Sequence, residues 1–507
     1  MVSNDFDLVV IGGGINGVGI GRDAQGRGIR TLVVEKGDLG SGTSSASTKL
    51  IHGGLRYLET YEFKMVGEAL SEREVIMRSA PHLVWPLRFV IPHTKEQRPY
   101  WLVRLGLLLY DVLGKRQLLP RSCGLNLQRH AAGWPLKDHI VRGFQYSDCW
   151  AQDAKLVAVN AMDLVQRGGA VRTRTKVERA VRVGPESHWS IMLVDTDTAE
   201  TSNVTAKALV NAAGPWANVV DAQALGRNNA TSLRLVRGSH IVVPRLYSGE
   251  HAYLLQNHDG RVIFVIPYEG EFSLIGTTDV EHDGGMDQIA ISPDEVRYLC
   301  SAVNRYFQQQ LSADDIVWTY AGVRPLVDDK SVGASQISRD YGFDLDGAIG
   351  KTAPLLTVLG GKLTAYRELG EAGVNRLSPF FPNAGEAWTK RAVLPGGDIG
   401  LDVEKAKREF AAKYNFLPLS LSQRLVQDYG SLADRIVNKA SRLADLGQHF
   451  GQDVFEAELR YLCDHEFVRR AEDWLWRRSK MGLHLTAKTR AAVNDWFETN
   501  ARRGNND

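Results

Sequence analysis

The pattern of apolar and polar positions at the start of the chain predicts a strand, a helix and a second strand. Residues 6–11 form a short apolar run that ends at three consecutive glycines. A helix-compatible stretch covers residues 14–26, and residues 31–35 form another apolar run. Short apolar runs bounded by glycine are typical of buried strands. This order predicts the opening βαβ unit of a parallel-sheet dinucleotide fold.

The pattern changes further along the chain. Residues 56–80 and 153–167 are predicted helices, and the second leads into a predicted strand over residues 170–173. A middle region has short alternating segments, which predict antiparallel strands over residues 240–243, 262–266 and 272–275.

The C-terminal part has a different texture. Residues 394–397 (Leu-Pro-Gly-Gly) predict a linker, and the chain beyond them is charged and helical. Residues 463–466 (Cys-Asp-His-Glu) are of metal-ligating types, but four neighbours on a helix point in different directions. We therefore expect a helical C-terminal unit without a metal site.

Composition and charge exclude several classes of protein. The chain has 507 residues, with 61 Lys and Arg against 59 Asp and Glu, and 44% hydrophobic residues. These values fit a globular protein of about two to four domains and exclude a disordered or collagen-like chain. A net charge of +2 argues against a nucleic-acid-binding protein.

The four cysteines form no CxxC pair, which favours a reducing compartment. The first residues lack the basic segment of a signal peptide. No apolar run reaches the roughly 18 residues needed to cross a bilayer. We therefore expect a cytoplasmic protein that does not cross the membrane.

Three glycines after the first strand form a phosphate-binding motif. Gly12, Gly14 and Gly17 make the pattern G-x-G-x-x-G between the predicted strand and helix. They allow a tight turn, close approach of the backbone to a pyrophosphate, and close packing of helix on strand. Glu35, which ends the second strand, can accept hydrogen bonds from an adenosine ribose. This motif alone does not separate FAD from NAD.

Two further segments favour FAD. Residues 41–47 form a loop dense in hydroxyl and small side chains, although a plain polar connection is the alternative. Residues 359–364 form a second glycine turn that opens a helix. An extended FAD needs one contact along its phosphates and ribityl chain and another helix N-terminus directed at the flavin.

Six segments resemble successive motifs of the FAD-dependent, quinone-linked glycerol-3-phosphate dehydrogenases. They are residues 44–59 (SSASTKLIHGGLRYLE), 208–217 (ALVNAAGPWA), 275–281 (IGTTDVE), 318–326 (WTYAGVRPL), 359–367 (LGGKLTAYR) and 464–478 (DHEFVRRAEDWLWRR). The match runs in order over essentially the whole chain. Ala365 departs from the family pattern KLTTYR, which leaves the resemblance intact.

The resemblance implies an α/β fold of the glutathione-reductase/D-amino-acid-oxidase type. A Rossmann FAD-binding domain (about 1–80, 145–225 and 315–387) would be interleaved with an antiparallel-sheet substrate domain (about 81–144 and 226–314). A linker at 388–400 and an all-α domain at 401–507 would follow. FAD is expected to be bound without a covalent bond.

The resemblance also implies the oxidation of sn-glycerol 3-phosphate to dihydroxyacetone phosphate by hydride transfer to flavin N5. Arginine suits the substrate phosphate because its planar fork pairs with two oxygens. By analogy, Arg324 and Arg339 would hold the phosphate, while Arg56, Lys362 and Tyr57 would lie near the reacting hydroxyl. Each lone arginine could equally be structural.

The general base is left open between two histidines. His240 lies in a strand, where a satisfied core histidine is the commoner case, and His52 is expected to face the flavin. The candidate residues are therefore, for catalysis, Arg56, Lys362, His52 and His240; for substrate, Arg56, Tyr57, Arg324, Arg339 and Lys362; and for the cofactor, Gly12, Gly14, Gly17, Glu35, Ser41, Thr43, Ser44, Ser45, Lys49, Gly361, Lys362, Leu363 and Thr364.

A predicted helix over residues 99–114 is apolar around most of its circumference, which is typical of a helix buried in protein or partly sunk in lipid. Residues 98–121 hold five basic residues and one acid, and residues 469–480 hold five basic residues around Trp474 and Trp476. The resemblance implies a peripheral protein on the cytoplasmic face of the inner membrane that reduces ubiquinone or menaquinone. A homodimer is also expected.

Three other functions stay open. An oxidase would carry out the same half-reaction with oxygen as the acceptor and hydrogen peroxide as product. An amino-acid oxidase of the same flavoprotein class would explain the glycine motifs but not the arginines. A flavin-binding scaffold or tRNA-modifying factor would need a nucleic-acid surface, which the balanced charge does not favour.

Overall fold

A computed structural model describes residues 4–59, 61–114, 118–184, 188–227, 233–286, 289–327 and 341–500, without the side chain of Arg56. The strands in these ranges are β1 (Asp5–Ile11), β2 (Thr31–Val34), β3 (Leu50–Ile51), β4 (Val84–His93), β5 (Cys123–Asn126), β6 (Arg142–Ala151), β7 (Ala170–Arg172), β8 (Thr175–Val183), β9 (His188–Asp195), β10 (Thr201–Asn211), β11 (Leu233–Pro244), β12 (Ala252–Gln256), β13 (Val262–Tyr268), β14 (Phe272–Gly276), β15 (Val280–Glu281), β16 (Trp318–Val327), β17 (Tyr341–Ala348), β18 (Thr352–Gly360), β19 (His449–Gly451) and β20 (Val454–Phe455). The α-helices are α1 (Ile15–Gly26), α2 (Phe63–Ser79), α3 (Tyr100–Leu113), α4 (Asp153–Gln166), α5 (Ala217–Gln223), α6 (Pro293–Tyr306), α7 (Tyr366–Leu377), α8 (Val403–Lys413), α9 (Leu419–Tyr429), α10 (Ala433–Val437), α11 (Glu456–His465), α12 (Met481–His484) and α13 (Ala487–Asn500).

The first sheet contains the predicted βαβ unit. Strands β18, β10, β1, β2 and β7 lie side by side in this order and run parallel, and β17, β9 and β8 extend the sheet with antiparallel pairing. Leu8 and Val10 of β1 pack with α1, α4 and α7, whereas Val9 and Ile11 pack on the opposite face. Because both faces are covered, β1 reads as a continuous apolar run rather than an alternating one.

The second sheet is largely antiparallel. Its strands follow the order β15, β11, β14, β13, β12, β4, β6 and β3, with β16 paired to β11 and β5 to β6. The predicted strands of the middle region lie in β11, β13 and β14, which pair antiparallel as expected. Helix α6 covers one face, where Leu299 and Val303 pack against Ile241.

Three strands differ from the predicted division of the chain. β3, β6 and β16 fall wholly or largely within ranges assigned to the FAD-binding unit, but they pair with β6, β4 and β11, respectively, in the second sheet. Strand partners are chosen by long-range packing, which the local pattern of a strand does not contain. The chain therefore crosses between the two sheets at other positions than the sequence predicts.

The C-terminal part is helical as predicted, apart from the short β19–β20 ribbon. Buried ion pairs join it to the first sheet and its helices: Arg478 with Asp38 and Lys155 with Glu466, both at 2.7 Å. Trp474 is fully buried. Within residues 469–480, Arg477 and Arg478 are paired with the buried carboxylates of Asp38 and Asp473 and so do not face a lipid surface.

Helix α3 confirms the predicted helix and is unusually exposed. Of its large apolar side chains, Leu107 and Tyr110 are buried. Trp101 is 67% and Val112 74% exposed, and Leu105 and Leu108 are also exposed. In the described part of the chain no helix is long and apolar enough to cross a bilayer.

Candidate active site

An elongated cavity of about 940 Å³ begins at the carboxyl ends of β1, β2 and β10 and continues to the second sheet. In open parallel sheets, ligands bind at this edge. One end is lined by Glu35 and residues 175–178, the middle by the first glycine turn, and the far end by His240 and the second glycine turn. Its length and its two glycine turns match an extended dinucleotide.

The first glycine turn has no room for side chains. Gly12 has φ +110°, and a Cβ there would lie 2.6 Å from the carbonyl oxygen of Ala212. A Cβ on Gly17 would lie 1.9 Å from the oxygen of Gly12, so only glycine allows α1 to pack so closely on the turn. Gly14 lines the cavity at the start of α1. The helix therefore presents backbone N–H groups to the cavity, as a pyrophosphate requires.

Glu35 lines the cavity but already has partners. Its carboxylate accepts hydrogen bonds from the backbone N–H of Gly13 at 2.7 Å and of Gly37 at 2.8 Å. Burial raises its pKa, and these two hydrogen bonds oppose the rise. Glu35 thus shapes the glycine turn, and its side chain borders one end of the cavity.

The hydroxyl loop divides into residues that line the cavity and residues that do not. Ser41, Thr43 and Ser44 line it, and Ser44 Oγ accepts a hydrogen bond from the N–H of Ile15 at 3.0 Å. Ser45 lies outside the lining and donates to the Gly42 oxygen.

Lys49 was expected at the cofactor, and the structure places it elsewhere. Its side chain is buried and its Nζ donates to both carboxylate oxygens of Asp153 at 2.9 Å. A buried ammonium needs a paired anion, and Asp153 supplies it. Lys49 therefore faces away from the cavity that its neighbours Ser47 and Thr48 line.

The second glycine turn approaches the first in space. Asn16 Nδ2 donates to the Gly360 oxygen at 3.2 Å, which ties the two turns together. Gly361 has φ +102°, and residues 363–365 form a short 3₁₀ turn that leads into α7. Gly361, Lys362, Leu363 and Thr364 all line the cavity.

Lys362 carries a cation into the far end of the cavity. Its Nζ lies 4.3 Å from the centre of the Tyr57 ring and 3.6 Å from Met65 Sδ. Within the described ranges it has no carboxylate at ion-pair distance. A cation held over an aromatic face keeps its capacity to bind an anion or a polarised hydroxyl.

Of the three expected arginines, the structure describes the side chain of Arg324. It lines the cavity, and its Nη2 donates to Asp279 Oδ1 at 2.6 Å and to the Thr278 oxygen at 3.0 Å. These contacts fix the direction of the guanidinium. Arg339 lies outside the described residues, and Arg56 is placed only by its backbone, in the 3₁₀ turn (Leu55–Leu58) whose Tyr57 contacts Lys362.

His240 is a neutral imidazole at the cavity wall. Its Nε2 is 3.0 Å from Thr48 Oγ1, and its ring stacks on Tyr320 at 4.6 Å between centroids. Burial lowers its pKa well below the ordinary value, and the nearby cations Lys49 and Arg324 lower it further. His52 also lines the cavity, edge-on to Phe264, and its backbone is held by Thr364.

Several residues at or beside the cavity were not predicted from the sequence. Asn16 lies inside the glycine motif, so its position next to Gly17 was the available signal. Trp216 belongs to the segment 208–217, and Lys36 lies 4.7 Å from its ring centre at the adenosine end. Asp279 follows the Thr-Thr pair of segment 275–281, but its pairing with Arg324 is a long-range contact without a local signal.

Two known protein families match consecutive parts of the chain. A family described as "FAD dependent oxidoreductase" matches residues 7–367, and "C-terminal domain of alpha-glycerophosphate oxidase" matches residues 387–505. The chain is 49% identical to the aerobic glycerol-3-phosphate dehydrogenase of Escherichia coli over 97% of both chains. It is also 49% identical, over 97% of both chains, to the D-erythritol 1-phosphate dehydrogenase of Brucella abortus.

Among solved structures, the FAD complex of a glycerol-3-phosphate dehydrogenase from Bacillus halodurans matches 98% of this chain and 95% of that chain. The TM-score is 0.75 and the identity 27%. These matches confirm the predicted fold class, and FAD is the cofactor. The two glycine turns and the hydroxyl loop fit it, because they leave room for backbone N–H groups to approach phosphates.

Proposed function

The chain belongs to the FAD-dependent glycerol-3-phosphate dehydrogenase family, as its motifs indicated, and from this premise we propose that it oxidises sn-glycerol 3-phosphate to dihydroxyacetone phosphate. That it is an FAD-dependent oxidoreductase acting on a glycerol-3-phosphate-like phosphate substrate follows from the family itself. The observation that supports the site is the meeting of Arg324, Lys362 and His240 in one cavity with the second glycine turn.

Bound FAD supplies the hydride acceptor, N5 of the flavin. We assign the substrate phosphate to Arg324, whose guanidinium is held in place by Asp279. Lys362 and Tyr57 then lie by the reacting hydroxyl, where an ammonium stabilises developing negative charge on oxygen. Arg56 and Arg339 remain assigned to the same site by their motifs alone.

We assign the general base to His240. Because burial lowers its pKa and keeps its imidazole neutral, a ring nitrogen can accept the hydroxyl proton. Its Nδ1, which has no hydrogen-bond partner in the described part of the chain, would take the substrate proton, and Nε2, which contacts Thr48, would pass a proton on. His52, which contacts Phe264, then lines the pocket without a role as the base.

A four-carbon substrate is the second candidate. The Brucella abortus relative, named for D-erythritol 1-phosphate, matches this chain as well as the Escherichia coli enzyme does. Both substrates carry a terminal phosphate, so Arg324 serves either. The difference of one carbinol concerns the end of the pocket away from the phosphate.

We propose a membrane quinone as the electron acceptor and a peripheral position on the cytoplasmic face of the inner membrane. The exposed apolar side chains of α3 support this, because such a helix favours the lipid interface. Helix α3 packs on α2, and Met65 of α2 lines the cavity. A lipid-dissolved quinone would thus arrive beside the flavin. Oxygen is the alternative acceptor, as in an oxidase.

Anaerobic titration of the yellow holoenzyme decides among these substrates. We expect sn-glycerol 3-phosphate to bleach the flavin band, with D-erythritol 1-phosphate and an amino acid as comparison substrates. Bleaching by D-erythritol 1-phosphate alone would establish the second candidate, and bleaching by neither phosphate would overturn the proposal. Reoxidation by a short-chain quinone against oxygen then identifies the acceptor.

A further inference from the structure

A second cavity, of about 970 Å³, lies between the antiparallel sheet and the C-terminal helices. It shares no lining residue with the flavin cavity. Trp150 of β6, the start of α4, the β13–β14 turn and residues 477–484 form its walls. Its rim includes exposed residues such as Glu250, whose side chain is 83% exposed, so the cavity communicates with solvent.

The two cavities are separated by the segment from Ser47 to Lys49. Ser47 and Thr48 line the flavin cavity, whereas Lys49 lines the second cavity together with Asp153. Ser47 Oγ donates to Asp153 Oδ2 at 2.7 Å, and Lys49 Nζ donates to both Asp153 oxygens at 2.9 Å. A hydrogen-bonded chain therefore runs through the partition from one cavity to the other.

Two ionisable side chains in the second cavity lack a matched partner. Lys480 Nζ donates to the backbone oxygens of Trp476 and Ser479, and no carboxylate lies at ion-pair distance within the described residues. Glu269 forms no hydrogen bond or ion pair in the same part of the chain. Both line the second cavity together with Lys49 and Asp153.

Both groups titrate near neutral pH. Burial raises the pKa of Glu269 to about 7, with Asp428 raising it further and Lys480 and Lys49 opposing. Burial lowers the pKa of Lys480 to about 7, helped by Lys49 and Arg477 and opposed by Asp153 and Glu269. A group with a pKa near the working pH exchanges protons readily with water.

We propose that the second cavity is the proton exit of the flavin site, with Ser47, Asp153 and Lys49 as the relay and Glu269 and Lys480 as the groups that exchange with solvent. This rests on the proposed function. In that reaction the carbinol C–H bond breaks and its hydride passes to flavin N5, a C=O bond forms, and the hydroxyl proton must leave.

His240 contacts the partition between the two cavities. Its Nε2 contacts Thr48, which is adjacent to Ser47 in the partition. Ser47 Oγ can accept a proton from the flavin side while giving its own to Asp153. The backbone N–H of Lys49 donates to Ser47 Oγ, and the Tyr320 hydroxyl donates to the Ser47 carbonyl oxygen, both at 2.9 Å. These two hydrogen bonds hold Ser47 in position for proton transfer.

The relay is tested by following flavin bleaching and proton release together, with a pH indicator, after anaerobic mixing of holoenzyme with sn-glycerol 3-phosphate. In Ser47→Ala we expect proton release about tenfold slower than in the wild type, and in Ser47→Thr near-normal release. Glu269→Gln and Lys480→Met should each abolish the dependence of release on an ionisation near pH 7. Glu250→Gln, at the rim of the same cavity, is the control and should behave as wild type.

A readout independent of turnover uses the oxidised holoenzyme without substrate. Infrared difference spectra between about pH 6 and pH 8 should contain a carboxyl band that Glu269→Gln removes and Lys480→Met shifts. Proton release unaltered in all three variants, or no such band in the wild type, would overturn the proton exit. Failure of the proposed function is separate: the wild-type flavin would then not bleach, while the infrared result would still stand.

Discussion

The guanidinium of Arg478 binds the carboxylate of Asp38 at 2.7 Å, although the two residues are 440 positions apart, and both side chains are buried. Asp38 follows β2 and lies three residues after Glu35, which shapes the glycine turn. Burial alone would raise the pKa of Asp38, but Arg478 and Arg477 hold it below its ordinary value. The C-terminal helices thereby anchor the loop at the adenosine end of the FAD cavity.

Replacing this arginine should destabilise the whole protein. Arg478→Met leaves Asp38 buried with one arginine, and we expect the free energy of unfolding to fall by about 3–5 kcal/mol. Denaturant titration of the holoenzyme measures this. Arg442→Met, which removes an exposed ion pair with Asp445, is the control and should destabilise the protein far less. Equal effects of the two changes would contradict the anchoring role.

Arg324 should govern binding of the phosphate rather than of the flavin. We expect Arg324→Ala to raise KM for the phosphate substrate by about 30-fold or more, since a lost charge-assisted pair costs at least 2 kcal/mol. Flavin content should stay near one per chain. Arg261→Ala, which lies directly before β13 and is paired with Asp259, is the matched control. A wild-type KM in Arg324→Ala would remove this residue from the phosphate site.

The apolar face of α3 should determine attachment to lipid. In the double variant Trp101→Ser/Val112→Ser, two of the most exposed apolar side chains of the helix are lost. We expect co-sedimentation with anionic vesicles to weaken at least about tenfold, because each substitution removes apolar surface that the lipid interface would otherwise bury. Trp134→Ser removes an equally exposed tryptophan from another surface and should bind like wild type. Unchanged binding of the double variant would count against α3 as the contact.

His82 should make folding sensitive to acid. It is fully buried, and neither ring nitrogen has a hydrogen-bond partner in the described structure. Burial lowers its pKa to about 3, and Lys155 nearby lowers it further. In the unfolded chain the imidazole is protonated below about pH 6.5. In the folded protein it stays neutral until the pH falls to about 3.

The stability contributed by this histidine is therefore complete above pH 6.5 and is lost progressively as the pH falls towards 3, by about 1.4 kcal/mol per pH unit. Comparison of His82→Leu with wild type over this range isolates the effect, because the other acid-sensitive groups are common to both. We expect the variant to lose less stability on acidification. Parallel curves would show that His82 is protonated in the folded state.

The sequence by itself determined the elements whose structure depends on close neighbours. The apolar run before Gly12 and the spacing of Gly12 and Gly17 gave the βαβ unit, because the turn leaves no space for a Cβ. The helix α3 was equally visible, since its ends carry Pro99 and Gly114. Short sequence motifs also indicated the family and favoured FAD over NAD as the cofactor.

Only the tertiary structure decided where charged side chains find their partners. Lys49 lies in the sequence between residues that line the FAD cavity. Its ammonium nevertheless pairs with Asp153, 104 residues later, on the other side of the partition. Residues 469–480 have the composition of a lipid-binding surface, yet Arg478 is buried on Asp38. A buried charge is stable only beside an opposite charge. Because that opposite charge comes from a distant part of the chain, no local sequence pattern predicts the pairing.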